Sequence, residues 1–139
     1  MSSISEKVRA AVYVKTNVSA VVGANKYTAI YADKAPPGAV FPYGVFNRQG
    51  SEPIEYAFTL TQILESDLWQ FRSYADSQSV AAALLTAWIS TLGNTLTLVT
   101  SGNERVAWMA RVNDLPPNDQ QLNDRYIYGR GALVRIATE

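Results

Sequence analysis

Hydrophobic positions change period along this chain, and the changes divide it into elements. Ile4, Val8, Ala11, Val12 and Val18 recur near helical spacing, Ser3 and Glu6 stand in capping-box relation, and Gly23 supplies a stop, which predicts a first helix over 4–22. A clearer stripe is formed by Val80, Ala81, Leu84, Leu85, Trp88 and Leu92, with Asp76 as N-cap and Gly93 and Asn94 as terminator of a second helix. Between the helices the period drops to two, giving strands around 27–31, over 40–47 and within 63–74. In the third, Phe58, Leu60 and Leu64 suggest one face while Ile63, Trp69 and Phe71 suggest the other, so a bulge is expected near 65–67.

The stretch YADKAPPGAVFPYGVFN, residues 31–47, combines three prolines with an alternating apolar segment. Proline cannot donate to a ladder, so Pro42 marks a strand entrance, and residues 34–38 form a stiff, non-helical approach to it. Within the strand, Tyr43 and Val45 point to one face, Gly44 and Phe46 to the other.

Beyond the second helix, Leu96 and Leu98 suggest a short strand that turns at residues 101–103 into another, with Val106, Trp108, Ala110 and Val112 on its buried side. A twelve-residue polar loop, NDLPPNDQQLND at 113–124, leads to the closing strand RYIYGRGALVRI, where Gly129 and Gly131 imply a bulge or a close backbone approach. Strands and helices do not alternate as a parallel sheet requires. The pattern predicts an α+β fold, an antiparallel sheet with two helices packed on one face, as a single domain over 1–139.

Composition removes several kinds of chemistry. Cysteine and histidine are both absent, so there is no disulfide, thiolate nucleophile, histidine base or His/Cys metal site. The 12 basic and 12 acidic residues fall six of each in 1–70 and six of each in 71–139, so bulk charge does not steer the chain to nucleic acid. The charged amino-terminal stretch lacks a secretory signal's apolar core, and no apolar run approaches the length of a membrane span, so no membrane partner and synthesis in the cytosol are expected.

Candidate catalytic pairs are Glu52 with Glu55 and Glu65 with Asp67, but solvated loop or strand charge explains them more simply. Eight tyrosines suit core edges and interface contacts better than a catalytic phenol. Gly129, Arg130 and Gly131 sit inside a strand pattern and are too short for a phosphate cradle. The acceptor triplet at 17–19 lies in a helix and is a chance glycosylation match. No catalytic, cofactor or metal residue is assigned, and no cofactor is expected.

The order of short words is more informative. Val21, Val22 and Gly23 close the first helix; Tyr31, Ala32 and the Ala35, Pro36, Pro37, Gly38 run follow, then Phe41, Pro42, Tyr43. The chain continues with LWQFRS at 68–73 and ends on YGRGALVRI at 128–136. Over nearly its full length this resembles the phage tail terminator family, also called tail completion proteins. Residues 49–61 and 113–124 have no clear counterpart there.

The resemblance implies that the proline-rich segment bridges a short first strand to the strand introduced by Phe41, Pro42 and Tyr43. It also implies a structural role: subunits, usually six, form a ring on the last layer of the tail tube, stop its growth and offer a docking surface to the head connector. Expected partners are then copies of the chain itself, the tail tube protein, the head–tail connector or neck protein, and genomic DNA only in passing through the ring. The expected location is the tail–neck region of a virion assembled in the host cytoplasm. A tyrosine-rich chain of low charge is compatible with such contacts.

Arg48, Glu52 and Glu55, on a polar excursion between two strands, are candidates for a subunit contact, and Asp114, Asp119 and Asp124, on the long loop, for contact with the tail. Two alternatives stay open: a small α+β enzyme using a carboxylate base and a tyrosine, and another neck, tube or contractile-particle subunit.

Overall fold

The computed structural model describes residues 4–16, 18, 21–56, 62–96, 106–122 and 125–138, with side chains for 8–16, 18, 21–49, 67–94, 109–121 and 126–137. Helix α1 (Ile4–Thr16) buries Val8 and Val12, one turn apart, while Tyr13 and Val14 face outward. It ends well short of residue 22. Val18 donates its N–H to the Thr16 carbonyl, Tyr27 donates to Val21, and Val22 forms a bridge with Tyr27, so the β-branched Val18, Val21 and Val22 lie outside the helix. The Ser3 and Glu6 side chains lie outside the described residues, as do Asn17 and Ser19.

Strands β1 (Ala29–Ala32), β2 (Tyr43–Tyr56), β3 (Gln62–Ala75), β4 (Val106–Leu122) and β5 (Arg125–Thr138) form one sheet in the order β1-β2-β3-β5-β4. All pairs are antiparallel except β1 with β2, which are parallel. A parallel pair cannot be closed by a tight turn. Residues 33–42, the proline-rich segment, supply the crossover, and Pro42 stands immediately before β2. The Pro42 carbonyl accepts from Thr28 N–H at 2.7 Å, and the peptide bond between Phe41 and Pro42 is cis.

Three strand assignments from sequence need correction. The 49–55 stretch is no loop: β2 continues through it in register with β3 as far as Tyr56 opposite Gln62. No bulge lies at 65–67 of β3: the register shifts between β2 and β3 leave Gln49 and Ile54 as extra residues in β2 and Ile63 in β3, and β3 pairs with β5 without a break from Glu65 to Ala75. Residues 113–122 of the expected 113–124 loop are likewise strand, because β4 pairs with β5 as far as Leu122 opposite Arg125.

Pro116 and Pro117 fall at a register shift between Leu115 and Asn118, on an edge strand whose outer side needs no donor. Opposite that shift stand Gly129 and Gly131. A Cβ on Gly129 would lie 2.8 Å from the Asn118 carbonyl oxygen, so the two backbones meet where only glycine fits. Leu96 enters no strand but ends helix α2 (Gln78–Leu96), β4 pairs with β5, and Leu98 and the turn at 101–103 lie outside the described residues. The shift between Val106 and Trp108 also changes the expected faces, leaving Ala110 and Val112 exposed and Met109 against the core.

Helix α2 starts after Ser77, whose carbonyl accepts from Ala81 N–H, and runs on through Gly93 and Asn94. Its buried stripe is Ala81, Leu85, Trp88, Ile89 and Leu92; Val80 is exposed. Both helices belong to one face: α2 packs on β3 and β5, and α1 on α2 and β1. No described helix is long and apolar enough to cross a membrane.

Trp88 joins these layers. It is fully buried, meets Phe71, Tyr27 and Phe46 edge-on at 4.8, 5.6 and 6.3 Å, and donates its indole N–H to the Thr16 hydroxyl at 2.9 Å. Burial of such a ring stabilises by roughly 4–6 kcal/mol at ~25 cal/mol per Å². Gly44 lets it seat, since a Cβ there would stand 2.9 Å from the indole and 2.7 Å from Ile30.

Candidate interface on the open face of the sheet

Alternation along the strands sorts side chains to the two faces. Phe46, Trp69, Phe71, Val134 and Ile136 lie under the helices in the core. Tyr43, Gln70, Arg72 and Tyr74 therefore lie on the opposite, open face. There the rings of Tyr31, Phe41 and Tyr74 surround Tyr43 at centroid distances of 5.9, 5.1 and 5.2 Å. Burial pushes the Tyr43 phenol above its ordinary value, and the neighbouring Tyr74 and Tyr31 phenols add to the shift.

Two adjoining grooves flank this cluster. The larger, about 790 Å³, is walled by residues 34–41 on one side and by Asn118, Gln120 and Ile127 on the other, with Tyr43 and Tyr74 between them. The smaller, about 360 Å³, holds Lys34, Asn47, Gln70 and Arg72 together with Asp33. Asp33 is already engaged by Arg9 from α1. The Gln70 amide sits between Gln49 and the Arg72 guanidinium, and with its oxygen turned toward Arg72 it accepts from Nη2 at 2.7 Å. A third groove of about 320 Å³ opens between α2 and β4, where Arg111 pairs with Asp114 and Arg130 reaches from β5.

Of the six residues singled out in the sequence, the five that are described fall on two separate strands of the sheet. Arg48, Glu52 and Glu55 follow one another along β2. Arg48 lies 3.4 Å from Asp67, a buried β3 carboxylate whose Oδ1 makes no hydrogen bond, so the pair is a charge contact only. Glu52 stands opposite Ser66 and Glu55 opposite Leu64, beyond the reach of β1, which pairs no further than Phe46.

Asp114 and Asp119 lie on β4, paired with Arg111 and Arg130 at 2.7 Å each; Asp124 is outside the described residues. Those two aspartates belong to a paired strand and not to a loop. Lys34, Tyr43, Arg72 and Tyr74 were missed. For Arg72 and Tyr74 the signal was the alternation in FRSYA at 71–75, where arginine and tyrosine interleave with the core residues.

No family model matches the chain, and no curated protein does. Among solved structures, a chain in the virion of a native gene transfer agent particle has the same fold, with a TM-score of 0.67 over 100% of this chain and 99% of that one, at 18% sequence identity.

Proposed function

We propose that this protein is a structural subunit of a phage or phage-like particle, and specifically its tail terminator. In this role copies of the chain, six in the family it resembles, close into a ring on the tail tube. The ring stops tube polymerisation and offers a surface to the head–tail connector, with genomic DNA passing through it. The observation that carries the proposal is the full-length fold match to a chain of a gene transfer agent virion, which agrees with the independent resemblance of the sequence words to the terminator family.

The enzyme alternative is less well supported by the open-face groove. A raised phenol pKa makes Tyr43 a poorer proton donor near neutral pH, and the nearby carboxylate, Asp33, is tied to Arg9.

Removing the gene from the particle-producing cell and imaging the products by electron microscopy tests the proposal. Tail tubes of uncontrolled length, unjoined to heads, are expected. Joined particles with tails of normal length would overturn the terminator role, and complete loss of tubes would assign the chain to the tube instead.

A further inference from the structure

Among the described residues, four arginines are matched by a carboxylate, and two cations gathered in one groove on the open face are not. Arg9, Arg48, Arg111 and Arg130 each pair with a carboxylate of the same chain. Arg72 and Lys34 share a groove and pair with no carboxylate among the described residues; Arg72 has the Gln70 amide instead. The opposite imbalance stands at the far end of β2. Residues 49–56 of β2 and 62–66 of β3, which pair with one another, contain Glu52, Glu55 and Glu65 and no lysine or arginine.

An acidic hairpin and a basic groove on the same chain cannot satisfy each other. Arg72 sits opposite Val45, and β2 is extended from there to Glu52 and Glu55, seven and ten residues on. At ~3.3 Å per residue this separates them by about 20–30 Å. A second copy has no such constraint. We infer that the acidic end of the β2–β3 hairpin of one subunit docks against Lys34 and Arg72 on the open face of the next.

The contact uses two different surfaces and is heterologous, so its repetition gives a ring when the rotation closes. Tyr43 and Tyr74, lining the same groove, supply the aromatic surface that subunit contacts favour. This inference rests on the assembly role proposed above and names the contact that produces it.

Sedimentation velocity and native mass spectrometry of the intact chain, with and without tail tubes, test it through charge exchange. Glu52→Lys with Glu55→Lys, and separately Lys34→Glu with Arg72→Glu, place like charges in the contact. Each double variant is expected to need about a hundredfold higher concentration for half-assembly than wild type. An equal mixture of the two is expected to assemble again, because each variant's hairpin then meets an oppositely charged groove, in rings where the two alternate.

Circular dichroism melts confirm that the variants fold; if Arg72→Glu does not, Lys34→Glu alone, on the surface connection, is expected to weaken assembly about tenfold. Wild-type rings with folded variants that assemble undisturbed, or a mixture that stays apart, overturn the hairpin contact alone. A wild-type chain that remains monomeric even on tail tubes overturns the assembly role itself.

Discussion

Tyr27 shows how a single residue's surroundings set a measurable property. Its ring is fully buried against Trp88, yet its hydroxyl makes no hydrogen bond. Burial pushes the phenol far above its ordinary value of about 10; the Ser73 hydroxyl beside it acts in the opposite direction, although the two oxygens do not meet in hydrogen-bond geometry. A phenol with a raised folded-state pKa keeps a proton that the unfolded chain releases, so stability is level below about pH 10 and falls above it.

For Tyr27 the slope is about 1.4 kcal/mol per pH unit. Tyr27→Phe is expected to leave neutral-pH stability within about 1 kcal/mol of wild type, since the hydroxyl it removes has no partner, and to flatten most of the alkaline decline. Denaturant titrations between pH 8 and 11 check this. A variant that loses stability at neutral pH would show that the hydroxyl is satisfied after all.

At the scale of elements, β4 is the instructive strand. The words NDLPPNDQQL contain every signal of a loop: two prolines, amides and acids. What makes them strand is position, since an edge strand hydrogen-bonds on one side only, and glycines at 129 and 131 let its irregular backbone approach β5 closely. Replacing 115–122 by a short Asn-Gly turn is therefore expected to remove the pairing opposite residues 125–131, to uncover the buried Ile127, and to cost on the order of 3 kcal/mol. Chemical denaturation measures it; an unchanged midpoint would make the segment an appendage. The buried faces of α2 and β3 were legible beforehand, because Trp88, Leu85, Trp69 and Phe71 repeat at the periods their elements impose. The extension of β2 beyond residue 48 was not legible, because Gln49 to Glu55 is polar and a strand paired on one side needs no apolar alternation to form.

For the whole molecule, equal numbers of positive and negative side chains conceal an uneven arrangement, acidic at the hairpin and basic on the open face. Contacts between such partly exposed charges weaken as salt shortens the screening length. Raising ionic strength from ~0.05 M to ~0.5 M is expected to shift half-assembly to higher concentration without changing the melt of the monomer. Salt-independent assembly, followed by light scattering, would transfer the driving force to the aromatic cluster.

The sequence by itself determined what is local: the two helices, the apolar face of α2, the strand that begins at Tyr43, the glycine approach at 129–131 and the absence of thiol or imidazole chemistry. These follow from side-chain period, backbone freedom and composition, which neighbours in the chain settle among themselves. Only the tertiary structure decided what depends on distant partners. The parallel pairing of β1 with β2, the conversion of two polar stretches into strand paired on one side only and the gathering of Lys34, Tyr43, Arg72 and Tyr74 on one face all arise from which strand lies beside which. That is a property of sheet order and register, and no window of the chain contains it.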